Sequence, residues 1–356
     1  MDNMTTSSTI GQRIDYIDAL KGFLILSVVM CHVAGFCLGI QDDIPSFLPI
    51  LFEFRNPPFF FISGFFAYKI GVVWGSRFCY KTIKKKFIAI AWPTFLFLAV
   101  LLYVHPSYHG RTFLHDNIKD LWFHWFTLSL FVFFVFYSII ELSLSSLKNE
   151  KIKSIILLAC GALSYLLFSV QSVYYILPIN DTIKQLMGME YWGFYFFFIL
   201  GVLARKHYTP FIELLNNNTF IAVCIFVFIL FNIFNQPLQN NHFNLFRIIT
   251  YLTGIILVLK FFMSYPPKGY LNDIMTFVGK RTLDIYLIHY FFLPLALYEN
   301  MSVLRDTPMP IIEFALTFSI SLVIIAMSLL VSYVIRLSPT SAYLILGYKS
   351  KNTKAS

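Results

Sequence analysis

Charged side chains are scarce in this sequence. Asp, Glu, Lys and Arg make up 13% of the 356 residues, whereas hydrophobic residues make up 58% and the mean hydropathy is +0.71. A soluble globular protein of this size would not hide so much apolar surface from water. The composition excludes the soluble classes and indicates an integral membrane protein.

Closely spaced cysteines and nucleotide-binding motifs are absent. The five cysteines lie in or beside apolar segments without the spacing of a zinc site or a disulfide framework, so we expect free core thiols and no metal. Neither GxGxxG nor GxxxxGK[ST] occurs, which excludes the nucleotide-binding folds that those motifs mark. The sequence also shows no internal repeat, no low-complexity tract and no separate soluble domain.

Long apolar runs recur instead. Nothing before residue 20 resembles a cleavable signal peptide, and we expect the first run to be a retained span. In lipid, backbone polar groups must be satisfied within each segment, so the predicted fold is all-α, a polytopic bundle of about ten spans. The second predicted span contains Pro57 and Pro58, where a continuous helix could begin. The predicted spans are 20–40, 48–70, 87–104, 121–141, 153–171, 190–204, 217–235, 245–265, 276–297 and 310–335.

Basic residues alternate between the predicted loops. Of the 27 lysine and arginine residues, 21 fall on the side that carries the N-terminus, so the positive-inside rule predicts that both termini are cytoplasmic. The predicted layout is a cytoplasmic segment 1–19, a membrane domain 20–338 and a cytoplasmic tail 339–356. The net charge of +9 then comes from basic loop residues that orient the spans in the membrane, and no nucleic-acid partner is predicted.

Ionisable residues at membrane depth are expensive, and each suggests a functional site. His32 is predicted about 18 Å into the first span, near the midplane. The alternative is a neutral histidine satisfied by a neighbouring helix. At the cytoplasmic entrance, Asp18 and Lys21 are one turn apart and are predicted to pair, which leaves Arg13 for an anion.

Two further segments carry polar residues. Glu53 and Arg55 are predicted near the outer end of the second span, where Ser63 and Gly64 would allow another helix to approach closely. The segment 76–87 carries five basic residues and faces the predicted cytoplasm. It serves either as a topology or lipid signal, or as a binding rim for a polyanionic cosubstrate.

Two more histidines occur in apolar context. His289 follows Asp284 in the ninth predicted span, but five residues place the two on different helix faces, so no carboxylate-histidine pair is inferred there. His124 lies between Trp122 and Trp125, and we interpret this group as an outer aromatic belt with a partly hydrated histidine.

Several segments together resemble one enzyme family. RIDYIDALKGFLILSVVMCH, NPPFFFISGFF, WFTLSLF, FFFILGVLARK and VGKRTLDIYLIH are similar, in this order, to motifs of the integral-membrane acyltransferase family three. Within that family they resemble the branch of fucose 4-O-acetylase-like and polysaccharide O-acetyltransferases. The likeness covers about residues 13–335.

The resemblance implies an O-acyltransferase that moves an acyl group, usually acetyl, from cytoplasmic acetyl-CoA to a hydroxyl of a glycan or a lipid-linked sugar. It implies a multi-pass protein of the bacterial inner membrane, in contact with membrane lipids. His32 matches the family's first-helix histidine, Arg13 the preceding arginine, and Ser63 with Gly64 the second-helix motif. The sequence departs from the family's pattern at two places. Arg55 stands where the branch often has histidine. Lys85 and Ala89 stand at the two positions where the family has a pair of arginines.

Acyl transfer needs a base for the attacking hydroxyl and a stabilised oxyanion. We expect His32 to be the general base and Arg55 or Ser63 to orient the acceptor or the oxyanion. Arg13 with Lys81, Lys84, Lys85 and Lys86 is expected to hold the CoA phosphates. A covalent route through Cys31 is disfavoured, because neighbouring helical residues project about 100° apart.

Two other classes remain open from the sequence. A proton-coupled secondary transporter or exporter of a sugar-like solute would use His32, Arg55 and Arg247 as its substrate site, but it predicts inverted repeats and paired broken helices that the sequence does not show. A membrane scaffold without chemistry would leave these charges without a role.

Overall fold

The computed structural model describes residues 15–40, 48–104, 107–108, 111–112, 124–169, 178–179, 183–184, 188–234, 245–301, 304 and 309–348. Within these ranges the chain is almost entirely helical. The strands described are β1 (Ser107–Tyr108) and β2 (Arg111–Thr112), which pair antiparallel. The α-helical class is thus observed, with one pair of two-residue strands added.

The described helices are numbered here in chain order. They are α1 (Asp15–His32), α2 (Leu48–Ala67), α3 (Ser76–Lys86), α4 (Trp92–Val104), α5 (Trp125–Ser143), α6 (Glu150–Ser169), α7 (Tyr195–Lys206), α8 (Tyr208–Asn216), α9 (Asn218–Phe234), α10 (Leu245–Ser264), α11 (Gly269–Gly279), α12 (Thr282–Ile288), α13 (Leu297–Asn300), α14 (Pro310–Arg336) and α15 (Pro339–Leu346). π-Helical turns follow α1 (Val33–Leu38) and α3 (Phe87–Ala91), and 3₁₀ turns precede α7 (Met189–Phe194) and follow α12 (His289–Phe292).

The described helices fit a membrane protein. Five of them are long and apolar enough to cross a bilayer, and the pair α8 and α9, bent by 73°, would add a sixth. The number of ten spans and the cytoplasmic termini therefore stay predictions. The five are Tyr16–Leu38, Trp125–Ser143, Glu150–Ser169, Arg247–Ser264 and Pro310–Arg336.

In two places the helices of the structure differ from the predicted spans. The ninth is not continuous, because the N–H groups of Lys280 and Arg281 turn back to the carbonyls of Thr276 and Val278 and end α11. The second does not begin at Pro57, since α2 continues through both prolines from Leu48. Each proline removes only one backbone N–H donor, and the remaining backbone hydrogen bonds keep the segment helical.

Glycines allow close contacts between described helices. Gly22 of α1 lies against the Met275 carbonyl of α11, and Gly279 lies against the Asp18 carbonyl. In the same way α2 meets α7 where Gly64 faces the Phe198 carbonyl and Gly201 faces the Phe61 carbonyl. Small residues let backbones approach in this way inside membranes. The close packing predicted at Gly64 is confirmed.

Substituting Gly64 with alanine is expected to destabilise the bundle. The new Cβ would overlap the Phe198 carbonyl, and backbone cannot move aside as a flexible side chain does. Overpacking of this kind costs about 1–3 kcal/mol. Thermal unfolding of the purified protein in detergent measures it. Gly35→Ala is the matched control, because nothing lies within 4 Å of its added Cβ. Equal melting temperatures for the two variants would contradict this packing.

Candidate active site

The end of α1 brings His32 to a second histidine. His32 Nδ1 lies 2.8 Å from Nε2 of His289, and the two ring planes differ by only 6°. His32 is the last residue of α1, and the helix continues as the π-helical turn Val33–Leu38. Turns of that type inside helices are frequent at functional sites. Two residues from distant parts of the chain therefore form one hydrogen-bonded pair.

His289 is held from its other side. It is fully buried at the start of the 3₁₀ turn, and its Nδ1 lies 3.0 Å from the carbonyl oxygen of Ile285. Tyr290, the next residue, packs its ring 4.0 Å from the His289 ring and places its hydroxyl 3.4 Å from His32 Nε2. The change from α-helix to 3₁₀ helix thus directs two successive side chains toward His32.

Arg55 supplies positive charge to this cluster. It is half-buried in α2, and its guanidinium is close enough to act electrostatically on His32, Tyr286 and Tyr290. The structure therefore brings together two of the predicted site residues, His32 and Arg55.

His124 also belongs to the cluster. Its side chain is fully buried, its Nε2 lies 3.5 Å from the Leu287 carbonyl oxygen, and its ring centroid lies 5.2 Å from that of Tyr290. The neighbouring Phe126 N–H donates to the Tyr286 hydroxyl at 3.3 Å. The interpretation of His124 as partly hydrated is wrong, because the start of α5 packs against α12 and buries its side chain. The outer aromatic belt stays a prediction.

Neither His289 nor His124 was among the predicted site residues. For His289 the sequence held a usable signal. Counted from the predicted cytoplasmic ends of their spans, at residues 20 and 276, His32 and His289 lie at similar depths of about 18 Å and 20 Å. The sequence around His124 holds no such signal, since its flanking tryptophans fit a membrane interface as well as they fit a buried site.

The other predicted residues occupy different places. Ser63 is half-buried on α2, eight residues or about 12 Å along the axis from Arg55. No hydrogen bond in the described part of the chain joins Ser63 to either histidine. Arg13 lies outside the described residues. The predicted ion pair between Asp18 and Lys21 is confirmed, with 2.7 Å between Oδ1 and Nζ.

Asp284 is engaged away from His289, as expected. Its Oδ2 accepts from Arg336 Nη2 at 2.7 Å and from the Ser332 hydroxyl at 2.5 Å, which ties α12 to α14. Cys31, next to His32, packs in a separate apolar cluster with Ala34 and Leu38. That placement supports the geometric argument against a covalent route through the cysteine.

The lysines of α3 do not form one uniform rim. Lys81, Lys84 and Lys85 are exposed, whereas Lys86 turns inward and places its Nζ 3.6 Å from the ring centroid of Phe134. Burial, aided by the charges of Lys69 and Lys85, lowers the pKa of Lys86 to about 8. Three lysines are therefore free to meet a ligand in water, and the fourth lies against the helix bundle.

Comparison with protein families decides the identity. Residues 14–337 match the model of an acyltransferase domain, the membrane acyltransferase family 3. The chain belongs to this family. It is an acyltransferase, and the resemblance noted in the sequence is confirmed at the level of the family, while the fucose 4-O-acetylase-like branch stays a prediction. No curated protein and no solved structure matches the chain.

Proposed function

We propose that this acyltransferase moves an acetyl group from cytoplasmic acetyl-CoA to a hydroxyl of a cell-surface glycan or its lipid-linked precursor, in the inner membrane of a bacterium. The observation that supports this most strongly is the hydrogen-bonded pair of His32 and His289 beside the Arg55 charge. A neutral imidazole is the group best suited to take a proton from a hydroxyl near neutral pH.

The proposed reaction is a direct transfer. The acceptor oxygen attacks the thioester carbonyl carbon while His32 Nε2 takes the hydroxyl proton. A C–O bond forms, the C–S bond breaks, and the His32 imidazolium returns its proton to the departing sulfur, so that free CoA thiol and an ester result. We assign to Arg55 the stabilisation of the oxyanion that develops between these steps.

The CoA phosphates need cations on the cytoplasmic side. We assign this role to the exposed lysines Lys81, Lys84 and Lys85 of α3, with Arg13, which precedes α1 in the sequence. Phosphate oxygens accept charge-assisted hydrogen bonds, which are stronger than neutral ones. Lys86, turned toward Phe134, would meet the part of the ligand nearest the helix bundle.

Changing Lys81, Lys84 and Lys85 together to glutamine is expected to weaken CoA binding at least about tenfold, since hydrogen bonds to charged groups contribute roughly 1.5–3 kcal/mol each. Equilibrium binding of labelled CoA to the purified protein measures this. The control changes Lys148 and Lys151 to glutamine, two exposed lysines beside the start of α6. Equal weakening by both variants would show a general effect of charge, not a phosphate rim.

The proposed activity is tested on whole cells. Mass spectrometry of envelope glycans should show acetyl groups, removable by mild alkali, that disappear when the gene is deleted. The wild-type gene should restore them and the His32→Ala gene should not. Unchanged glycan acetylation after deletion would contradict the proposed acceptor class.

A further inference from the structure

The hydrogen bonds around His289 fix where its proton lies. A backbone carbonyl can only accept, so the bond to the Ile285 oxygen requires a hydrogen on His289 Nδ1. In a neutral imidazole the other nitrogen then carries a lone pair. His289 Nε2 is therefore an acceptor, and it faces His32.

The same reasoning extends to His32. Its Nδ1 lies 2.8 Å from the His289 acceptor, so this nitrogen must carry the hydrogen of the bond. The lone pair of neutral His32 is then on Nε2, the atom 3.4 Å from the Tyr290 hydroxyl. One carbonyl thus determines, through two rings, which nitrogen of His32 is basic.

We propose that His289 is the positioning residue of this site: it holds His32 in the tautomer whose Nε2 is the base, and it stabilises the His32 imidazolium by accepting its Nδ1–H. This inference rests on the proposed function. The two nitrogens are 2.8 Å apart, the ring planes are parallel within 6°, and the full burial of His289 keeps water from competing for the hydrogen bond.

A neutral acceptor suits this environment. The familiar partner of a catalytic histidine is a carboxylate, which would add a second charge at membrane depth. The nearest carboxylate on the same helix, Asp284, is bound to Arg336 and Ser332. His289 fixes the tautomer without a charge of its own, and its ring is held in turn by Ile285 and Tyr290.

Two variants of the full-length protein in lipid vesicles separate positioning from packing. His289→Gln places an amide oxygen where Nε2 lies and still accepts from His32, whereas His289→Leu fills similar volume without an acceptor. With labelled acetyl-CoA and envelope glycan from cells lacking the gene, we expect kcat to fall about 100-fold for leucine and less than about 10-fold for glutamine. KM for acetyl-CoA should stay the same. Equal kcat values for wild type and His289→Leu would overturn the proposal.

A second measurement does not depend on turnover. ¹⁵N NMR of histidine-labelled protein, with His32 assigned by comparison with His32→Ala, should show hydrogen on Nδ1 in wild type and a mixture of tautomers in His289→Leu. A wild-type His32 protonated on Nε2 would overturn the proposal even if the enzyme is active. If wild-type His32 carries its hydrogen on Nδ1 but the protein transfers no label, the proposed function is overturned, and the positioning role with it.

Discussion

Replacing His32 with alanine is expected to lower kcat for acetyl transfer by about 10³-fold, within the usual range for loss of a general base. Without an imidazole, the acceptor hydroxyl must attack while still protonated. Binding of CoA should remain, because the proposed phosphate ligands are lysines of α3 and Arg13, which is 19 residues before His32 in the sequence. The ester formed by purified protein in vesicles, released by mild alkali and counted, gives the rate.

His207 offers a matched histidine control. It is exposed between α7 and α8, where its Nε2 lies 3.1 Å from the Ser154 hydroxyl, far along the chain from both members of the pair. His207→Ala should retain the wild-type rate. If His32→Ala also keeps full activity, His32 is not the base and the assignment fails.

The second large effect is expected at Arg55. Changing it to glutamine should lower kcat by about 10²–10³-fold, the loss seen when one oxyanion-stabilising donor is removed. Arg55→Lys keeps the charge but loses the planar fork, so an intermediate rate is expected. Steady-state kinetics should place the loss in kcat and not in KM for acetyl-CoA.

Arg205→Gln is the matched arginine control. Arg205 stands over Phe65 and Tyr208, with its guanidinium carbon 5.1 Å and 5.4 Å from the two ring centroids. Arg205→Gln removes one positive charge, as Arg55→Gln does, but it removes it at the last turn of α7. Equal rates for the glutamine variants of Arg55 and Arg205 would show that Arg55 acts only through general charge.

The sequence indicates part of the candidate site. His32 and Arg55 are conspicuous as ionisable residues in apolar runs, and the ion pair of Asp18 with Lys21 could be predicted because one helical turn separates them. Their partners were not found, because a contact between α1 and the turn after α12 depends on how helices pack. Sequence periodicity within one helix carries no information about that packing.

The fold shows the same division. Apolar runs predicted helices, which the described part of the chain contains. The break between Gly279 and Thr282 was missed because hydropathy stays high across it, while backbone hydrogen bonds decide where α11 ends. His124 was misread for a related reason: tryptophans beside a histidine look alike at a membrane surface and at a helix start buried by a neighbour.

The central claim is most directly tested by product balance with the purified wild-type protein. Vesicles containing it are given labelled acetyl-CoA, with and without envelope glycan from cells lacking the gene. The account predicts equal amounts of free CoA thiol and alkali-labile acetyl ester, both dependent on the glycan. Movement of a sugar across the vesicle membrane with no thioester consumed would contradict it.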